Sequence, residues 1–163
     1  MSTPLRVLIV EDQEDDAALM LRELRRAQFD PVSERVETEQ EMSAALEKGG
    51  WELVLCDHGL PRFNSLQALK LLHETGLDLP FIIVSGSIGE DLAVAAMKSG
   101  AHDYILKGNL ARLGPAVERE MRETEVRRAR KVAEDPAIFA PRADLDCQCV
   151  AHGHAACSFS RAR

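Results

Sequence analysis

Two hydrophobic rhythms alternate through the first two-thirds of the chain. Short, mostly apolar runs such as "LRVLIV" (Leu5 to Val10) read as strands. Between them, apolar residues recur at helical spacing, as with Ala17, Met20, Leu21 and Leu24 inside Gln13 to Gln28. The same alternation predicts strands over Pro31 to Val36, Leu53 to Cys56, Pro80 to Ser85 and Asp103 to Lys107. Polar residues interleave the Pro31 run, which places it at a sheet edge. "TEQE" (Thr38 to Glu41) has the form of a capping box. It opens a helix with Met42, Ala45 and Leu46 inward, stopped by Gly49 and Gly50. Further helices are expected over Ser65 to Thr75, closed by Gly76, and over Gly89 to Ser99, closed by Gly100. Pro115 suits the first turn of a final helix that turns Ala116, Val117 and Met121 inward. Its later turns offer i,i+4 ion pairs, Glu118 with Arg122 and Glu123 with Arg127. The pattern stops near Glu134, and Pro136 and Pro141 interrupt the remaining stretch.

Five strands, each followed by a helix, imply an α/β doubly wound fold, a parallel sheet with helices on both faces. The 163 residues suffice for one domain with a real core. That domain is expected to span residues 1–131, with 132–163 a flexible tail. A net charge of −7 argues against a surface built to grip nucleic acid. The apolar runs have only strand length, so no membrane span is expected, and the first run is too short for a signal peptide. A cytoplasmic protein is the expectation. Cys56 reads as a small buried hydrophobe. In the tail, "CQCVAHGHAAC" groups Cys147, Cys149, His152, His154 and Cys157, all zinc-compatible side chains. Their spacing is not that of a standard finger and no second half-site is present, so a tail that happens to hold them is preferred to a zinc site.

Ligands of doubly wound sheets bind beyond the carboxyl ends of the strands. Those ends carry Glu11 and Asp12, Asp57, Ser85 and Lys107. Two carboxylates at ~4 Å repel by about 4 kcal/mol at an effective dielectric of 20. A hard divalent cation relieves that repulsion, and Mg²⁺ does so with one or two carboxylates while keeping several waters. Lys107 adds a point charge and Ser85 a hydroxyl donor. Such a set suits phosphoryl transfer, with an Asp nucleophile that becomes an acyl phosphate. No Gly-rich phosphate loop points to a nucleotide.

The chain from Leu5 to about Arg130 resembles the receiver domain of bacterial response regulators in two-component signalling. The resemblance is carried by the pair Glu11-Asp12, "CDHGLP" around Asp57, "VSGS" with Ser85, and "DYILKG" with Tyr104 and Lys107. It implies a flavodoxin-like strand order, 2-1-3-4-5. It implies that Asp57 accepts a phosphoryl group from a phosphohistidine of a sensor histidine kinase or phosphotransfer protein. Mg²⁺ would be held by Asp12, by Asp57, by the backbone carbonyl of Gly59, and by Glu11 mainly through water. Ser85 and Lys107 would contact the phosphoryl oxygens. Tyr104 would be the aromatic switch of an output face made by the fourth helix, fifth strand and fifth helix. The resemblance further implies a stand-alone regulator with no separate catalytic domain, acting on a downstream protein or in a phosphorelay. Its final helix could serve as a dimerising or kinase-contacting extension. Gly108 stands where Pro commonly follows the lysine, which puts the usual cis bond there in doubt. Ser65 stands where Gly is common. Neither is expected to touch the chemistry.

Each residue also has a plainer reading. Glu11 and Asp12, with Glu14, Asp15 and Asp16, could simply favour a helix N-terminus. Ser85 before Gly86 could be turn chemistry, Lys107 a solvated lysine and Tyr104 half-buried packing. These readings do not explain why every central strand ends on the residue type that the chemistry needs. A phosphohydrolase of the haloacid dehalogenase type is the rival from another class. It needs a second Asp two residues after the nucleophile, where this chain has Gly59. A pseudo-receiver that works without phosphorylation would require a damaged acidic pocket, and the pocket residues are complete.

Overall fold

The apolar runs assemble into one five-stranded parallel sheet of order β2-β1-β3-β4-β5, as expected. The strands are β1 (Thr3–Val10), β2 (Phe29–Val36), β3 (Leu53–Asp57), β4 (Phe81–Ser85) and β5 (Asp103–Leu106). The computed structural model describes residues 1–87 and 89–134. Helices α1 (Glu14–Arg26) and α5 (Leu113–Glu134) cover one face, while α2 (Glu39–Lys48), α3 (Ser65–Thr75) and α4 (Glu90–Lys98) cover the other. Strand alternation builds the two cores. Leu5, Val7 and Ile9 point toward α1 and α5, and Leu8 and Val10 point toward α2 and α3. All five residues of β3 and of β4 are buried, as a strand covered on both faces requires.

Local chemistry explains where the helices start and stop. Thr38 and Glu41 close the expected capping box on α2. Asn64 and Gln67 make a second one on α3 that the sequence pattern did not single out. Gly76 ends α3 in the left-handed conformation at φ 71. Gly114 allows α5 to touch α1, because a Cβ there would lie 2.4 Å from the Cβ of Ala27.

Several boundaries differ from expectation, each for a physical reason. β1 and β2 begin at Thr3 and Phe29 because backbone pairing outruns the buried apolar run, and the Thr3 amide bonds the Gln28 carbonyl at 2.8 Å. Gln28 takes a positive φ of 66, which excludes it from α1, and Gln13 caps that helix from outside. Gly89 and Ser99 are likewise caps of α4. β5 stops at Leu106, and Lys107–Arg112 forms a 3-10 helix whose Leu110 packs on the α1–α5 core. Among the described residues no ion pair joins Glu118 to Arg122 or Glu123 to Arg127. Arg127 instead reaches Asp78 at 3.0 Å, and Arg128 donates to the Asp78 carbonyl at 2.7 Å. A partly buried carboxylate rewards pairing more than an exposed one on the same helix.

The floor of the sheet, at its amino end, is clasped by His102. Its amide donates to the Phe81 carbonyl at 2.8 Å, and its Nδ1 accepts from the Phe81 amide at 3.0 Å. Burial holds the imidazole below its ordinary 6.5; Arg127 adds to that, while Glu120, Asp78 and Glu123 oppose it. The unfolded chain therefore takes up the proton first. The stability contributed by this clasp is present above about pH 6.5 and is lost as pH falls through the depressed folded value. Urea midpoints of the parent should drop between pH 7.5 and 5.5 by more than those of His102→Asn, whose side-chain oxygen can accept without titrating. Equal drops in the two proteins would contradict this role for His102.

Candidate functional site

The carboxyl ends of β1 and β3 are neighbours, so parallel pairing alone brings Glu11 and Asp12 beside Asp57. One carboxylate oxygen from each lies within 4.8 Å of the others. Glu11 is fully buried, Asp57 nearly so, and Asp12 half-buried. Lys107 leans over this cluster from the end of β5. Its Nζ lies 3.0 Å from Glu11 Oε2, 2.5 Å from Asp16 Oδ2 and 3.4 Å from Asp57 Oδ2.

The electrostatics follow from that crowding. Burial pushes the Glu11 carboxyl up to about 7, and Asp57 adds to the rise; hydrogen bonds from the Gln13 amide and Lys107 oppose it. Partial burial disfavours the charge on Lys107. Its hydrogen bonds to Asp16 and Glu11, with the field of Asp57, outweigh that and hold its ammonium well above the usual range. Asp12 is held below the usual carboxylate range: its slight desolvation is outweighed by hydrogen bonding to Glu11 and Gln13 and by the charge of Lys107.

The donor set is all oxygen and carries more negative charge than Lys107 offsets, which fits a hard divalent cation. Both oxygens of Glu11 already have partners, Oε1 from the Gln13 amide at 3.0 Å and Oε2 from Lys107. Asp12 and Asp57 are therefore the more available carboxylates. Gly59 leaves the flank of Asp57 open, since a Cβ there would sit 3.4 Å from Asp57 Oδ2.

Ser85 stands at the end of β4, beside the strand that ends in Asp57. Its hydroxyl donates to the Ser87 carbonyl at 3.2 Å. Tyr104 is half-buried, and its hydroxyl donates to the same carbonyl at 3.0 Å. The two residues thus share one acceptor. The peptide bond between Lys107 and Gly108 is trans, like every described one. Cys147, Cys149, His152, His154 and Cys157 lie outside the described residues.

Three supporting residues were not singled out by the sequence pattern. Arg35 donates from Nη1 to the carbonyls of Glu11 at 3.0 Å and Asp12 at 3.3 Å, and also pairs with Glu37. It pins the backbone of the acidic pair. Ser65, expected to stand apart from the chemistry, is buried and lies 2.6 Å from His58 Nδ1, so it orients the side chain directly after Asp57. Asp16, read as helix-dipole decoration, is the nearest partner of Lys107.

This fold and this rim of charge define a class. A family model described as the response regulator receiver domain matches residues 7–118. The chain belongs to that family, a regulatory domain of two-component systems. It is 33% identical over 101 residues to the uncharacterized transcriptional regulatory protein YkoG of Bacillus subtilis, a match covering 62% of this chain and 43% of that protein. It is 30% identical over 105 residues to the transcriptional regulatory protein PrrA of Mycobacterium tuberculosis, covering 64% and 44%. The matches thus span less than half the length of these curated relatives. Among solved structures, a signal receiver domain assigned to a Luxo repressor protein of Vibrio parahaemolyticus matches with a TM-score of 0.68 and 25% identity, covering 77% of this chain and 96% of that one. A response regulator receiver domain from Clostridium thermocellum shares the fold with a TM-score of 0.64 at 19% identity, covering 75% and 98%. No described helix is long and apolar enough to cross a membrane.

Because Lys107 lowers the Glu11 carboxyl, Lys107→Met should raise it above about 7. An opposite charge at this range is worth about one pH unit or more. Carbon-detected NMR titration of the Glu11 side chain reads the change, and an unmoved titration would contradict the coupling.

Proposed function

We propose that Asp57 is a phosphoacceptor and that the domain is a phosphorylation-dependent switch. One observation carries this reading: a nearly buried carboxylate at the end of a central strand has Lys107 Nζ 3.4 Å away and two further carboxylates in metal-sharing reach. An Asp57 oxygen would attack the phosphorus of a phosphohistidine. The P–O bond forms as the P–N bond breaks, and the imidazole leaves with its electron pair and takes up a proton. The product is an acyl phosphate. Lys107 offsets the charge on the phosphoryl oxygens, and the sheet holds the nucleophile in place. Bound Mg²⁺ would supply the remaining positive charge, held by Asp12, Asp57 and the Gly59 carbonyl, with Glu11 reaching it through water.

The donor would be a sensor histidine kinase or a histidine phosphotransfer protein, met in the cytoplasm. The receiver would comprise residues 1–131. Its output would leave through α4, β5 and α5. Support comes from the apolar surface there: Val94 and Met97 are exposed on α4, and a groove of about 200 Å³ is lined by residues that include Ala93, Tyr104 and Leu106. Ser85 would exchange the Ser87 carbonyl for a phosphoryl oxygen, vacating space beside β4 into which the Tyr104 ring would turn as its hydroxyl leaves the same carbonyl. The signal would pass to a downstream protein or along a phosphorelay, with the far end of α5 available for dimerisation. Gly59 cannot transfer a proton, which disfavours a haloacid dehalogenase-type hydrolase. The assembled acidic cluster disfavours a pseudo-receiver.

Acetyl phosphate with Mg²⁺ should add one phosphoryl group by intact mass, and Asp57→Asn should abolish the addition. Undiminished labelling of the variant would refute the assignment.

A further inference from the structure

Lys107 has three carboxylate neighbours, and the nearest is the one with no part in the proposed chemistry. Asp16 Oδ2 lies 2.5 Å from Nζ, against 3.4 Å for Asp57 Oδ2. Asp16 stands in the first turn of α1 and lies outside the Glu11–Asp12–Asp57 cluster. Its neighbours Glu14 and Asp15 serve the helix N-terminus equally well by charge, yet neither forms an ion pair among the described residues. A helix-dipole role therefore does not account for the contact. Short charge-assisted bonds of this kind are the strong ones.

We propose that Asp16 is a positioning residue that holds Lys107 back from the phosphoryl position and so sets how readily Asp57 becomes and stays phosphorylated. The inference rests on the reading of Asp57 as phosphoacceptor. An ammonium has three protons to share. In the resting domain two of them serve Asp16 and Glu11. A phosphoryl group on Asp57 adds charge and acceptor oxygens that lie outward of the carboxylate. On this proposal Lys107 turns its ammonium outward to them and loosens its hold on Asp16 in doing so. The Asp16 contact thus stabilises the unphosphorylated state selectively, which is the condition for shifting an equilibrium. Glu11 keeps its own bond to Lys107, so loss of the Asp16 charge leaves the lysine anchored at the site.

The test uses the full chain with acetyl phosphate and Mg²⁺, reading the phosphorylated fraction by intact mass across acetyl phosphate concentrations. Asp16→Asn should lower the half-saturating concentration by about 5-fold or more, the lower end of ordinary coupling between sites. Asp16→Glu, which keeps a carboxylate within reach, should return it toward the parent value. Asp15→Asn makes the same charge change without the contact and should leave it unchanged. The Lys107 Nζ nitrogen resonance of the unphosphorylated protein should move in Asp16→Asn and not in Asp15→Asn. An unchanged or raised half-saturation in Asp16→Asn overturns the proposal, as does an equal effect of Asp15→Asn. A parent that takes up no phosphoryl group refutes the phosphoacceptor reading instead, and the inference falls with it, whereas the Nζ resonance still reports whether the contact exists.

Discussion

The structure is organised around one electrostatic constraint. Glu11, Asp12, Asp16 and Asp57 are gathered at one rim of the sheet, and Lys107 is the cation in direct reach of three of them. Such a gathering is unfavourable by itself, and burial, to which the charge of Asp57 adds, pushes the Glu11 carboxyl up. It persists because parallel pairing of β1 with β3, and of β4 with β5, fixes where the strand ends fall. Arg35 adds a second restraint from the edge strand by holding the carbonyls of Glu11 and Asp12. The charge that remains uncompensated is what a divalent cation and a phosphoryl group would act upon.

The apolar layers make this tolerable. β3 and β4 are buried along their whole lengths, and their side chains fill both cores. Burying a large aliphatic side chain stabilises by roughly 1.5–3 kcal/mol, so a few of them offset one crowded carboxylate. Functional crowding is thus confined to the rim, while the opposite end of the sheet is closed by neutral or paired groups such as the His102 clasp and the Asp78–Arg127 bridge. The long α5 spans the two ends. It starts beside the 3-10 helix that begins at Lys107 and ends past Asp78.

What was legible in the sequence was local. Strand periodicity, the Thr38–Glu41 box and the carboxylate that ends β3 are written in adjacent residues; the box and the carboxylate appear where expected, and all five strands form with shifted ends. The Glu11–Asp12–Asp57 cluster was also legible, because parallel topology converts strand ends into neighbours. The missed contacts span long separations or depend on a rotamer. Asp16 meets Lys107 across 91 positions, and Arg127 meets Asp78 across 49, so no window of sequence displays either. The Ser65 to His58 bond joins a helix start to a loop, and it appears only once α3 is placed against β3. The expected Glu123–Arg127 pair along α5 failed for the same reason, since the tertiary partner Asp78 outcompeted the helical one.

The central claim is that this rim exchanges its internal contacts for a phosphoryl group on Asp57. The most direct measurement is a crystal structure of the chain with Mg²⁺ and beryllofluoride, a non-covalent phosphoryl mimic. The account predicts beryllium on an Asp57 oxygen, the Lys107 ammonium drawn from Asp16 toward fluoride, and the Ser85 hydroxyl released from the Ser87 carbonyl. Beryllofluoride bound elsewhere, or bound at Asp57 with Lys107 still held by Asp16 and Ser85 still on Ser87, would contradict it.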